Sequence, residues 1–363
     1  MDDTIIIATS RKKCLQKLEI LLNYCNRSGM VLNNSKTKFM VICGKNEDKK
    51  RLIVNNVVIE NCAHYTYLGS MFTQDGSVFS SIKKHVQLKQ TCIIKFISFI
   101  SKNIEFPFWV KKKVFDACIT SSLQYSSESW INNSYKAAES SYMLCVKTLL
   151  GVRKTAPSLL CLAELDFPSI EAKVKYNQKK FLQNLINSRK NLSDDPFIMI
   201  WKMCEETKTP GYLYLKKVMS DNEHFSLDRE KRNNNIRLSA EKRSKFQTYL
   251  LINPNLVIND IYIDKANSIP EYQRINFSRL RLSSHNLKIE TGRWSRIPRE
   301  ERLCNCGILQ TEYHIIFDCS NTKTIRDTFT SINFNLSFSE FFSENNLEVL
   351  CSYLYQIIDV FSL

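Results

Sequence analysis

The run "CNCGILQTEYHIIFDC" sets Cys304, Cys306, His314 and Cys319 at the spacing C-x-C-x7-H-x4-C. Three thiolates and an imidazole are the donor set of a tetrahedral zinc with every position taken, so the chemistry expected here is structural rather than hydrolytic. The Cys-x-Cys pair, with Gly307 directly after it, suits a tight knuckle. His314 and Cys319 suit roughly one face of a short helix. A buried Cys/His mini-core is the alternative. The chain has only five His, so this density of metal-competent residues favours the metal.

At the other end, "MDDTIIIATS" places two carboxylates, Asp2 and Asp3, directly before a β-branched apolar run. Phosphoryl transfer by the two-metal route needs carboxylates that bridge two Mg2+ ions about 3.5–4 Å apart. Adjacent aspartates at a strand end supply part of such a cage, and another carboxylate must come from a neighbouring strand. Taken alone, the pair reads more simply as a solvated acidic terminus.

A third set of residues is basic. Arg274, Arg279, Arg281, Lys288, Arg293, Arg296, Arg299 and Arg302 precede the Cys/His cluster, with His285 and Trp294 among them. Guanidinium groups bind phosphate in a bidentate manner, and an exposed Trp can stack on an unpaired base. Trp294 suits a core position equally well. Lys111, Lys112 and Lys113 form a further basic run, which suits either a nucleic-acid backbone or a solvated helix face. The chain as a whole carries 51 Lys+Arg against 36 Asp+Glu, a net charge of +15. That balance favours a polyanionic partner, nucleic acid first.

Regular elements must hold these groups. Residues 4–9, "TIIIAT", read as a strand. Ser10 then caps a helix whose apolar positions are Cys14, Leu15, Leu18, Leu21, Leu22 and Cys25, with Gly29 just past its end. A second strand runs through Phe39 and Val41, and "LIVNNVVIEN" reads as a hairpin turning at Asn55-Asn56. "HYTYLGSMFTQDGS" continues as a strand that ends at Asp75-Gly76. From Ser80 to about residue 250 the pattern is helical, broken at Pro107, Gly151, Pro157, Pro168, Pro196 and Pro210-Gly211. The thirteen cysteines are scattered and odd in number, and no signal peptide precedes them. Reduced thiols in cytoplasm or nucleus, rather than a secreted disulfide framework, are expected. The most apolar stretch, "TCIIKFISFI", is short and carries Lys95, so no membrane span is expected.

Taken in order, the motifs resemble the C-terminal part of the reverse transcriptases of non-LTR (LINE-type) retrotransposons. In that family an aromatic-x-Asp-Asp turn opens a strand, and Met1-Asp2-Asp3 is similar to its end, without the aromatic residue. A G-x-x-x-N-x-x-K-T segment follows, matched by Gly29, Asn33, Lys36 and Thr37. A tyrosine-rich "YLG" hairpin that grips the primer is matched by Tyr65, Tyr67, Leu68 and Gly69. Downstream, "LQYSSESW" and the stretch from Val146 to Val174 resemble the helical thumb and the region after it, with Arg153, Lys154, Thr155 and Pro157 in the pattern. "SSHNLKIETGRWSRIPREERLCNCG" resembles the zinc-knuckle region that ends these proteins.

The resemblance covers residues 1 to about 325. It implies Asp2 as a magnesium ligand with Asp3 beside it, and Lys36 near the incoming triphosphate. The fold it implies is α+β and mostly helical: a truncated palm over residues 1–80, a helical thumb and connection over 81–265, and an Arg-rich, zinc-knuckled region with a helical tail over 266–363. Template–primer RNA and DNA are the implied partners, bound through Lys111, Lys112, Lys113, Arg279, Arg281, Arg293, Trp294 and Arg296. Zinc is the implied structural cofactor. Magnesium and dNTP belong only to an enzyme completed by the family's upstream aspartate and fingers, which these residues do not match. The chain alone is therefore expected to bind nucleic acid without polymerising it. A nucleic-acid-binding or assembly protein built on such a piece, or a remnant without function, is the rival reading.

Overall fold

A computed structural model describes residues 3–131, 135–189, 195–221, 224–264 and 268–361. The protein is α+β and mostly helical, with five short strands in two small sheets among the described residues. None of the described helices is long and apolar enough to cross a membrane. The chain divides into two compact units built from interleaved segments: Met1–Lys89, Leu123–Ala138 and Asn177–Met219 in the first, and Gln90–Ser122, Glu139–Tyr176 and Ser220–Leu363 in the second.

In the first unit, helix α1 (Arg11–Arg27) starts where Ser10 accepts a hydrogen bond from the Lys13 N–H. It ends at Gly29, whose φ of +64° lets the Met30 N–H turn back to the Cys25 carbonyl. Leu18 and Leu22 pack on Leu52 and Ile59 of the sheet, with Leu15, Phe39 and Val57 around them. That sheet runs β1 (Lys38–Phe39), β3 (Val57–Asn61), β2 (Leu52–Val54), parallel on the β1 side and antiparallel on the other. Asn55 and Asn56 both take positive φ in the two-residue β2–β3 turn, the conformation for which Asn is suited.

Two expectations about strands need correction. Residues 3–8 form no strand; Ile5 and Ile7 are exposed, and the ladder neighbour of β1 is β3 rather than the N-terminal run. A β-branched sequence without a partner to bond its backbone has no sheet to join. "HYTYLGSMFT" is also not the single strand that the pattern reading gives but a hairpin, as the resemblance implies, with β4 (His64–Tyr67) and β5 (Ser70–Thr73) turning at Leu68-Gly69. The Tyr125 hydroxyl donates to the Leu68 carbonyl at 2.8 Å, and its ring lies over Gly69, where a Cβ would meet it at 2.6 Å. Only glycine fits there.

In the second unit the chain breaks fall where proline and glycine stand. Pro107 precedes the Phe108–Val114 helix, Gly151 (φ +71°) ends Lys136–Leu150, and Pro157 caps Ser158–Leu165. Buried charge joins these helices. Glu164, fully buried, takes Arg281 on both carboxylate oxygens (2.7 and 3.2 Å) and the hydroxyls of Tyr249 and Tyr262 (2.9 and 3.0 Å). Glu271 pairs with Lys111 at 2.9 Å and with Arg274 at 2.7 Å. The Leu347–Asp359 helix packs on Glu271–Arg281, and Tyr353 reaches the Ile316 carbonyl beside the Cys/His cluster.

Candidate metal centre

The four residues of the C-terminal motif converge. One ligand atom from each of Cys304, Cys306, His314 and Cys319 lies within 4.8 Å of every other, and among the described residues this is the sole such gathering of three or more His, Cys, Asp or Glu. Cys304 Sγ is 3.6 Å from Cys319 Sγ, Cys319 Sγ is 3.9 Å from Cys306 Sγ, and Cys306 Sγ is 3.1 Å from His314 Nε2. Sulfurs bound at about 2.3 Å to one tetrahedral cation sit roughly 3.8 Å apart, whereas a disulfide brings them to about 2.05 Å. The two sulfur–sulfur distances match the edges of a coordination tetrahedron and exclude a disulfide.

Local backbone chemistry builds the site. Leu303 and Leu309 bridge in antiparallel fashion, the Cys304 N–H donates to the Ile308 carbonyl at 2.7 Å, and Gly307 turns at φ +87°. This is a knuckle, and it aims the Ile308 N–H at Cys306, which pulls that thiol below its ordinary pKa. Burial pushes the Cys319 thiol up to about 11, and burial also holds His314 below the usual imidazole range. A neutral imidazole is the form a metal requires.

His314–Asp318 is a π turn rather than an α-helical one, with the Cys319 N–H bonded to the His314 carbonyl at 2.8 Å. At 3.6 residues per turn, position i+5 lies about 140° around from i. The wider π turn brings Cys319 back beneath His314, so the shared face expected from sequence arises by a different geometry.

Ser283, Gln310 and Glu312, missed in the sequence, hold the motif together with His285. Glu312 accepts from Ser283 and from His285 Nε2, both at 2.9 Å. The Leu287 N–H donates to His285 Nδ1, which fixes Nε2 as the protonated nitrogen. Gln310 accepts the Lys288 N–H at 2.6 Å, at the start of the Lys288–Trp294 helix. Serine and histidine share one carboxylate oxygen here and are buried, so the trio is a clamp and not a nucleophilic relay. Glu312, two residues before His314, was the available signal.

The basic residues divide sharply. Lys111 is fully buried on Glu271, and Arg281 is buried on Glu164, so neither offers its charge to a phosphate. Both expectations of nucleic-acid contact are corrected: buried ion pairing uses these side chains inside the protein. Arg293 is half-buried between Glu290 and Ser244. Lys112 lies over Phe167 and is half-buried, while Lys113 is exposed over Trp109. Arg279, Trp294 and Arg296 are exposed, Arg279 holding the Gly151 carbonyl at 2.8 Å.

At the N-terminal motif the geometry is looser. Asp2 lies outside the described residues, and Asp3 is exposed in irregular chain. Lys36 is exposed on a turn organised by Asn33, whose carbonyl accepts from the Thr37 N–H and hydroxyl, both at 2.8 Å. Tyr65 donates to the Lys36 carbonyl at 3.2 Å, so the second and third motifs meet. Tyr67 is half-buried at the end of β4, and Leu68 and Gly69 form its turn. Comparison with protein families, with curated proteins and with solved structures finds no match to this chain.

Proposed function

We propose that the protein is a nucleic-acid-binding chain whose C-terminal region is stapled by a structural zinc ion, and that it corresponds to the palm-end, thumb and zinc-knuckle part of a LINE-type reverse transcriptase. The observation that carries this reading is the four-residue cluster: three thiols and an imidazole at tetrahedral spacing, on a knuckle, with no side chain left over for a substrate. A saturated thiolate-rich set suits zinc, which prefers tetrahedral sulfur and nitrogen ligands, and gives it no open position for hydrolysis. Template–primer RNA and DNA are the partners the exposed basic side chains suit, among them Lys113, Arg279 and Arg296.

Polymerisation is not part of the activity proposed for the chain alone. Asp3 belongs to no gathering of three or more His, Cys, Asp or Glu among the described residues, so magnesium and dNTP enter the reading only where the family's upstream aspartate and fingers complete the site. The Lys36 and Tyr65 contact supports the family reading without giving it chemistry. Primer extension on an RNA template with Mg2+ tests this directly: the expected result is binding without synthesis. Binding that falls steeply with salt supports phosphate contact, and robust synthesis by the isolated chain overturns the non-catalytic part of the reading.

A further inference from the structure

The Trp294 indole is the one exposed aromatic ring between Arg274 and Arg302, and it stands in an arrangement that the sequence does not announce. Arg153, from the loop after Gly151, lays its guanidinium 4.0 Å from the ring centroid. That guanidinium is pinned. It donates to the His285 carbonyl and, at 2.6 Å, to Asn286 Oδ1, while the Arg153 N–H donates to Ser284 Oγ at 2.9 Å. His285 is in turn held by Glu312, two residues before the metal-binding His314. The stack is thus tied through one short chain of contacts to the knuckle.

With its Nη2 engaged on the His285 carbonyl and Asn286, Arg153 is held as a flat support beneath the ring. Trp294 remains 55% exposed with one face so covered, which leaves surface for a second planar group. Arg293, next to Trp294, is taken up by Glu290 and Ser244; the exposed basic groups near the pair include Lys154, beside Arg153, Arg279, bonded to the Gly151 carbonyl, and Arg296. Arg299 is followed by exposed Glu300 and Glu301, so its charge is offset locally.

Bases in a duplex hide their faces in the stack, whereas an unpaired base offers one. We propose that the Arg153–Trp294 pair is a stacking platform for an unpaired base, and that it makes the zinc-stapled region selective for single-stranded over double-stranded nucleic acid, with Lys154, Arg279 and Arg296 on the backbone. The proposal rests on the nucleic-acid-binding reading above and adds strand selectivity to it.

The test is fluorescence anisotropy of the full chain with labelled oligo-dT of about 15 nucleotides and with a duplex of equal length at one salt concentration. Wild type is expected to favour the single strand. Trp294→Ala should weaken single-strand binding by about tenfold or more and leave duplex binding unchanged, and Trp294→Phe should keep most of the selectivity. The pair Lys154→Ala and Arg296→Ala should instead weaken both ligands and flatten the salt dependence. Equal effects of Trp294→Ala on both ligands, or none, overturn the platform while leaving the basic-surface reading standing. No binding of either ligand by wild type overturns both. Binding of anionic phosphatidylserine vesicles through Trp294, without single-strand preference, replaces the nucleic acid with a membrane surface.

Discussion

The N-terminal and C-terminal motifs begin from the same kind of sequence signal and end in different physical states. Cys304, Cys306, His314 and Cys319 are drawn to within 4.8 Å, mostly buried, and backed by the Glu312, His285 and Ser283 clamp. Asp3 and Lys36 stay exposed, one in irregular chain and one on a turn. A site is more than its residue types: it needs groups that hold those residues, and burial that makes holding them worthwhile. The C-terminal motif has both. The N-terminal motif has the turn and the Tyr65 contact, and little else.

The contrast is sharpest for metal removal. Stripping the proposed zinc with a chelator, or replacing Cys304 and Cys319 by Ser, should unfold the knuckle and the aromatic cluster around Phe317, Phe341 and Tyr353 that packs beside it. Structural zinc contributes roughly 10 kcal/mol in small modules, so near-ultraviolet circular dichroism should collapse. Asp3→Asn should leave the same spectrum untouched. A loss of structure from Asp3→Asn comparable to that from the cysteine variants would erase the distinction between the two regions.

Next in size is the buried charge that the sequence reading assigned to nucleic acid. Glu271→Ala leaves Lys111 and Arg274 unpaired in the interior and should cost about 3–5 kcal/mol in a denaturant melt. Replacing Lys111 by Met alongside it should recover part of that loss. Burial raises the Glu271 pKa, but hydrogen bonds and charge from Arg274 and Lys111 outweigh it, so the carboxyl ends below its ordinary 4.5. A depressed carboxylate stabilises the folded state above the unfolded pKa. That stabilisation should fade as pH drops from about 4.5 through the lower folded value, and Glu271→Gln should flatten the acid limb of the stability curve.

These charges show where the sequence stopped being informative. The Cys/His spacing, the Ser10 cap, the Asn55-Asn56 turn and the proline breaks are local signals, written within a few residues of the structure they cause. Lys111, Arg274 and Arg281 carry no local mark of burial. Glu271 is far along the chain from Lys111, and Glu164 from Arg281, so the pairing is a product of helix packing. The strand expected at residues 4–9 failed for a related reason: β propensity is local, but a strand requires a partner. The π turn at His314–Asp318 was invisible because its hydrogen-bond length follows from closing the cluster.

The smaller effects lie in the first unit. Gly69→Ala places a Cβ 2.6 Å from the Tyr125 ring at φ +80°, and should cost about 1–3 kcal/mol. Tyr65→Phe removes one exposed hydrogen bond to the Lys36 carbonyl and should cost less than about 1 kcal/mol in the same melt. A large loss from Tyr65→Phe would show that the N-terminal motif is held more tightly than its exposure implies.

Bound metal, measured by native mass spectrometry on protein purified under reducing conditions, bears most directly on the zinc-stapled reading. One zinc per chain, lost when Cys304 and Cys319 are replaced by Ser and unaffected by Asp3→Asn, is the expected result. Fully folded, metal-free protein with the three thiols free and the imidazole in place would contradict it, and would leave the Cys/His cluster as a buried mini-core.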